Sequence, residues 1–318
     1  MRVVFLDKSS IDNGDIDYSV IDSSLIEWLA YENTAPSQVI ERIAGADVVV
    51  SNKVVLDDGV ISQADSLKLI CVAATGTNNI DLDSAKANNI VVSNARAYAT
   101  ASVVEHVFGL LIMLMRNMTD YQQAATDGRW SHSDQFCYLH KPIVELAGKA
   151  LGIIGYGELG QAVAQVARAF GMRVLVSQRP GSLHQQQGRH DLDDVLEQSD
   201  VLTLHCPLAD NTRNLIDRRA FARMRRQAIL INTARGGIVN EADLLHALTE
   251  QEIAAAALDV LLEEPPSGQH VLLQGSLPNL IITPHVAWAS QQARQRLLGE
   301  VLDNIMSFRR GKVRHQVI

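Results

Sequence analysis

Cysteine is scarce in this chain. Cys71, Cys137 and Cys206 are three in number and far apart, so they make neither a disulfide framework nor a metal-ligand spacing. They fit a reducing cytoplasm, and no metal is expected. Long apolar runs are also missing. The longest, residues 103–115, contains Glu105 and His106 and falls short of the ~20 residues a membrane span needs; it reads as a buried helix. The N-terminus opens on Arg2-Val-Val-Phe-Leu-Asp7, strand-like and without the charged, apolar and cleavage regions of a signal peptide. Concentrated positive charge is absent too. Net charge is −8, and the basic clusters at 223–226 and 309–314 are short and interrupted. Binding nucleic acid requires a more concentrated basic surface. Neither nucleic-acid nor membrane partners are expected.

What remains is an ordinary globular composition, 47% apolar over 318 residues, with room for two domains. Strand-like runs at 3–6, 47–50, 69–72 and 91–93 alternate with helix-like runs at 36–43, 57–64 and 81–88. A long apolar helix, with room for a break, spans 100–130. Further strands are expected at 150–154, 173–177, 201–204, 228–232, 255–258 and 280–282, and a final helix at 290–308. Such alternation predicts an α/β fold of parallel sheets covered by helices. No strand-rich region follows the last helix. Its simplest place is back on the first domain, which makes that domain discontinuous: 1–98 with 287–318 around a central 99–286.

The most pointed stretch is Leu151-Gly-Ile-Ile-Gly-Tyr-Gly-Glu-Leu-Gly160. Gly155, Gly157 and Gly160 form a G-x-G-x-x-G fingerprint between a strand and a helix, the context that makes it specific for a dinucleotide. The first glycine makes the turn, the second admits a pyrophosphate, and the third lets helix and sheet pack. Tyr156, Glu158 and Leu159 lie within the same turn, at a helix N-terminus that offers amides to phosphate. Ligands of such sheets sit beyond the carboxyl ends of the strands. The loops His205-Cys206-Pro207-Leu208 and Thr233-Ala234-Arg235-Gly236-Gly237 should therefore face the coenzyme.

Reduction of a carbonyl by a nicotinamide needs an acid near the oxygen and a cation for any substrate carboxylate. Arg235, just past an apolar strand, has the planar fork for a carboxylate, and the glycines after it let the backbone approach a ligand. His285, after Ile281-Ile-Thr-Pro284, is suited to exchange a proton near neutrality. Glu264, before Pro265-Pro266, would orient that imidazole and favour its protonated form. Taken singly, each is as readily an unremarkable loop residue, and spacing does not prove that they converge.

The motifs taken together resemble the D-isomer-specific 2-hydroxyacid dehydrogenases over almost the whole chain. They are the fingerprint, Ser102-Val-Val-Glu-His-Val-Phe108, His205-Cys-Pro-Leu-Ala-Asp-Asn-Thr212, Ile231-Asn-Thr-Ala-Arg-Gly-Gly237, Ala257-Leu-Asp-Val260, Glu264-Pro-Pro and Thr283-Pro-His285. The resemblance implies two Rossmann-like doubly wound domains, a substrate domain made of both chain ends and a central dinucleotide-binding domain. It implies that Arg235, Glu264 and His285 are catalytic and that Asp259 contacts the nicotinamide carboxamide. Backbone amides of Ala74, Thr75 and Gly76 would hold the substrate carboxylate. Thr75 and Thr212 join the coenzyme-binding residues. Within the family, Tyr98-Ala-Thr-Ala-Ser-Val-Val-Glu-His106, Gly128-Arg-Trp-Ser131, Phe136-Cys137, Leu146-Ala-Gly-Lys149 and Thr283-Pro-His-Val-Ala-Trp-Ala-Ser290 resemble the glycerate dehydrogenase/hydroxypyruvate reductase branch. That points to a small 2-keto acid, hydroxypyruvate or glyoxylate, reduced to D-glycerate or glycolate with His285 as proton donor. Trp288 either walls the pocket or packs in a core.

One departure bears on the coenzyme. The acid expected ~20 residues after the fingerprint, which would bond the ribose hydroxyls, is missing from Val174-Leu-Val-Ser-Gln-Arg-Pro180. Gln178 stands there and Arg179 follows. Either Gln178 serves the ribose of NAD, or Arg179 meets the 2′-phosphate of NADP. Both coenzymes stay open. A homodimer through the helix at 103–115 and a cytoplasmic location are expected. The other readings are a broad 2-keto acid reductase with a different preferred substrate, and an NAD(H)-sensing binding protein.

Overall fold

Valine-rich strands dominate the first sheet because both of its faces are covered, which favours continuous apolar runs over alternation. The computed structural model describes residues 1–182, 186–275 and 277–318, which divide into two units, Met1–Ala99 with Trp288–Ile318 and Thr100–Ala287. In the first unit β1 (Arg2–Phe5), β2 (Glu27–Ala30), β3 (Val48–Ser51), β4 (Leu69–Val72) and β5 (Val91–Asn94) form a sheet in the order β2-β1-β3-β4-β5. All pairs are parallel, with Val3 opposite Val48 and Val49 opposite Ile70. Successive side chains point to opposite faces. Val3, Phe5, Val48 and Val50 therefore pack on Leu297, Val301 and Ile305 of the C-terminal helix Gln291–Arg309. Val4, Val49 and Ile70 face Val39 and Ile43 of α1 (Val39–Ile43), Ile61 of α2 (Asp58–Ile61) and Ala85 of α3 (Leu82–Ala87). The C-terminal helix starts where Ser290 accepts a hydrogen bond from the Ala293 amide, an N-cap that meets one otherwise orphaned donor.

The second unit opens with α4 (Thr100–Met115) and α5 (Met118–Thr126). Its sheet holds β6 (Ala150–Ile154), β7 (Arg173–Val176), β8 (Val201–Leu204), β9 (Ile229–Asn232), β10 (Ala255–Leu258) and β11 (Leu280–Ile282). The order is β11-β10-β9-β8-β6-β7, again all parallel. Crossovers run through α6 (Glu158–Ala169), α7 (Leu192–Gln198), α8 (Arg218–Arg223) and α9 (Glu241–Thr249). Both units are thus doubly wound α/β structures.

The break allowed for in the helix at 100–130 is present, and one strand is added. The helix expected at 100–130 is broken at Asn117, which takes a left-handed φ of 50°. Its two halves meet at 60°, and no single described helix is long and apolar enough to cross a membrane. The second half stops at Thr126, ahead of Gly128 at φ 87°. The strand β2 was not expected. It lies at the sheet edge and is only partly buried, so its four residues carry a weak apolar signal.

In each sheet the strand order reverses once, between β1 and β3 and between β6 and β8. Crevices of this fold open there, beyond the carboxyl ends of the strands.

Candidate active site

The fingerprint lies at the second reversal. Gly155, directly after β6, has a φ of 92°, a conformation side chains rarely adopt. A Cβ there would also lie 2.5 Å from the carbonyl of His205 and the amide of Cys206. A Cβ on Gly160 would lie 2.1 Å from the Gly155 oxygen, so the helix packs directly on the turn. Helix α6 is capped by Gly157 with no side chain on its first amides, and space around Gly157 is open. Tyr156 and Leu159 are half-buried, and Gly157 and Glu158 are exposed. The Glu158 carboxylate accepts a hydrogen bond from Thr100.

Two buried polar atoms at the neighbouring strand ends have no partner among the described residues: His205 Nδ1 and Thr233 Oγ1. His205 follows β8; its amide donates to the Ile154 carbonyl at 2.7 Å and its Nε2 lies 3.0 Å from Thr203 Oγ1. Burial pushes this imidazole down to about 4, so it is neutral at pH 7. A glycine-rich turn, an uncapped helix start and orphaned polar atoms beyond the strand ends fit a dinucleotide. Among the described residues no group of three or more His, Cys, Asp or Glu side chains could hold a metal ion.

The loops after β9, β10 and β11 bring further predicted residues to this edge. Ala234 donates its amide to Asn232 Oδ1, and Arg235 is half-buried with Nη1 on the Ala234 carbonyl at 2.7 Å. A Cβ on Gly236 would lie 2.0 Å from the carbonyl carbon of Leu261. This glycine therefore admits the chain leading to Glu264. Glu264 Oε1 accepts from the Leu261 amide at 2.9 Å, and Oε2 lies 2.6 Å from His285 Nδ1. His285 itself has a φ of 55°. No contact joins the Arg235 side chain to this pair among the hydrogen bonds described.

Several other expected site residues are engaged by their own chain. Asp259 is buried, and its carboxylate accepts from Thr283 Oγ1 at 2.5 Å and from the amides of Val286 and Ala287 at 2.9 Å each. These partners all belong to its own chain; the contact with the nicotinamide carboxamide rests on the resemblance. Thr212 is buried, with its hydroxyl bonded to the Ala209 amide and the Pro207 carbonyl, both at 2.7 Å; it folds its loop. Cys206 is buried too, and burial raises its thiol to about 11, leaving Pro207 exposed at the loop surface. The Gln178 amide pairs with the backbone of Gln186. Its Oε1 accepts from the Gln186 amide and its Nε2 donates to the Gln186 carbonyl. Arg179 is exposed. Trp288 packs edge-on against Tyr98, ring centres 6.3 Å apart, on the core of the first unit. In that unit, the loop of Ala74, Thr75 and Gly76 follows β4, held by Thr75 Oγ1 on the Ala95 carbonyl at 3.0 Å.

Two residues at this edge escaped the sequence reading. Arg189 donates to the Ser177 carbonyl and lies over the Tyr156 ring, 5.7 Å from its centre. Thr283 joins Asp259 to His106. Neither carries a local signal: Arg189 returns to the end of β7 from a distant loop, and a threonine before Pro-His reads as a turn residue.

A dinucleotide cradle beside a carboxylate–imidazole pair defines a class of oxidoreductase. The chain belongs to the D-isomer-specific 2-hydroxyacid dehydrogenase family: residues 108–287 match the family's NAD binding domain. It is 45% identical to the glycerate dehydrogenase of Methylorubrum extorquens over 99% of this chain and 98% of that one. It is 36% identical to the hydroxypyruvate reductase of Blautia hydrogenotrophica over 98% of each. It superposes on the NADPH-dependent glyoxylate/hydroxypyruvate reductase of Sinorhizobium meliloti with a TM-score of 0.84 at 26% identity, over 99% of this chain and 97% of that one.

Proposed function

We propose that the protein reduces a small 2-keto acid, hydroxypyruvate or glyoxylate, to D-glycerate or glycolate. The observation that carries this reading is the 2.6 Å contact between His285 and Glu264 on the same sheet edge as the fingerprint. A bound reduced nicotinamide supplies the hydride. Glu264 holds the Nδ1 side of the imidazole, so Nε2 is the nitrogen that delivers a proton to the keto oxygen. Glu264 is itself fixed by the Leu261 amide, which keeps the proton donor in one orientation. Arg235 binds the substrate carboxylate and polarises the carbonyl. The amides of Ala74, Thr75 and Gly76 are assigned to the same carboxylate on the family resemblance.

Arg179 and Arg189 support use of NADPH beside NADH, since Gln178 is engaged elsewhere and no acid follows β7 to repel a 2′-phosphate. Turnover of hydroxypyruvate, glyoxylate and other 2-keto acids with both coenzymes is the test. Activity highest on hydroxypyruvate or glyoxylate is expected. No turnover of any 2-keto acid overturns the reading, and a preference for NADH above ~100-fold overturns the NADPH part.

A cytoplasmic homodimer through the region of α4 belongs to this proposal. Most apolar side chains of α4, including Val103, Val107, Phe108 and Leu111, are buried within the chain. Met113 on α4 is exposed, and more exposed apolar residues follow it at Trp130, Phe136 (92% exposed) and Leu139 (75%), surface that association would cover.

A further inference from the structure

We infer that His106, on α4, is a positioning residue for the proton donor His285; the inference rests on the function proposed above. Ser102 and His106 are four residues apart and so share a face of α4. Both reach the segment that carries His285. Ser102 Oγ donates to the Ala287 carbonyl at 2.7 Å, and His106 Nε2 lies 3.0 Å from Thr283 Oγ1. Thr283 in turn lies 2.5 Å from Asp259 Oδ1. Counting protons fixes the direction of this chain. Asp259 accepts from the amides of Val286 and Ala287, so the single hydroxyl proton of Thr283 goes to its carboxylate. The Thr283 oxygen is then an acceptor, and His106 Nε2 must carry the hydrogen. His106 also stands 3.5 Å from Asp259 Oδ1, close enough to hold that carboxylate electrostatically.

The clamp closes around a residue that needs one. His285 has a φ of 55°, and side chains persist in the left-handed region only where their surroundings enforce it. The backbone on both sides is pinned. The His285 amide donates to the Asp259 carbonyl at 2.8 Å, and the next two amides donate to the Asp259 carboxylate. Thr283, two residues earlier, is fixed by His106. Without the His106 donor the Thr283 hydroxyl loses a partner and the turn loses its hold on α4. The imidazole would then drift from the place where Glu264 and the substrate meet it, and a displacement of about 1 Å costs up to ~100-fold in rate.

The test compares wild type with His106→Phe, His106→Gln, Thr283→Val and the double variant His106→Phe/Thr283→Val. Readouts are kcat and KM for hydroxypyruvate, the dissociation constant of NADH by fluorescence, and amide exchange at residues 285–287. His106→Phe is expected to lower kcat at least ~10-fold and to speed exchange of these amides. NADH affinity should stay within about two-fold, because His106 is not assigned to the coenzyme. Glutamine places an N–H near the Nε2 position, so His106→Gln should restore most of both properties. The double variant should be no worse than the poorer single one, since both break the same chain. Wild-type kcat and wild-type amide protection in His106→Phe would overturn the inference, as would losses equal in His106→Gln and His106→Phe. If wild type turns over no 2-keto acid but exchange still quickens in His106→Phe alone, the proposed function fails and the clamp stands.

Discussion

At the strand reversal of the first unit, the protein supplies its own anion. Asp7, just after β1, accepts hydrogen bonds from the amides of Asn52, Lys53 and Val54, just after β3, at distances down to 2.6 Å. At the reversal of the second unit, Gly155 and Gly157 follow β6, and α6 begins without a side-chain cap. The plan is the same in both: parallel strands turn outward and leave backbone donors at one point. In the first unit a buried carboxylate satisfies them. In the second no side chain caps them, and the proposed function assigns them to a phosphate. A doubly wound sheet thus offers an anion site by topology alone, and the loop after the first strand decides whether the chain fills it.

The largest effect expected belongs to the second unit. His285→Ala should lower kcat by ~10²–10⁴-fold, measured by steady-state turnover, while Asp7→Asn in a folded protein should leave kcat near wild type. Equal losses in the two variants would erase the functional contrast. Next comes Gly155→Ala. Its Cβ would meet the 205–206 backbone at 2.5 Å in a left-handed turn, a cost of about 2–4 kcal/mol. NADH titration should show a large loss of affinity, and an unchanged dissociation constant would mean that the turn is not the cradle. Asp7→Ala should destabilise the first unit by about 1–3 kcal/mol, because buried amides lose their acceptor. Chemical denaturation would check it, and an unchanged midpoint would contradict the seal.

The two sites also titrate with opposite sign. Burial holds His205 down at about 4, below the ~6.5 of a free imidazole. The unfolded chain therefore takes up that proton first. Stability from His205 is full above about pH 6.5 and is lost as pH falls towards about 4. Burial raises the Asp7 carboxyl, so there the folded chain takes up the proton first, and acid relieves the cost. Amide exchange at pH 7 and pH 5 should weaken the β6–β8 region and spare the β1–β3 region. Loss in both alike would refute the contrast. The smallest effect expected is on coenzyme choice: Arg189→Ala should raise the KM for NADPH roughly 10-fold and leave that for NADH unchanged. Equal change for both would remove Arg189 from the 2′-phosphate.

Much of this was legible in the residues. The α/β alternation, the strands β4, β8, β10 and β11 to the residue, and the fingerprint in its strand–helix setting all carry local signals. The pairing of Glu264 with His285 spans 21 residues; their chemistry suggested it, but spacing could not prove it and no local pattern encodes it. What escaped depends on long-range partners. Gln178 has the right place for a ribose but is taken by the backbone of residue 186. The clamp of Thr283 and two amides around Asp259 likewise carries no local signal. Asp7 passes for the polar end of a strand because its acceptor role requires β3 beside it, more than 40 residues on.

Amide exchange measured by mass spectrometry with and without NADH tests the contrast most directly. Slowed exchange is expected in peptides covering residues 155–160 and 205–206, with no change at residues 52–54. Protection at residues 52–54 with none at 155–160 would place the coenzyme in the wrong unit and contradict the account.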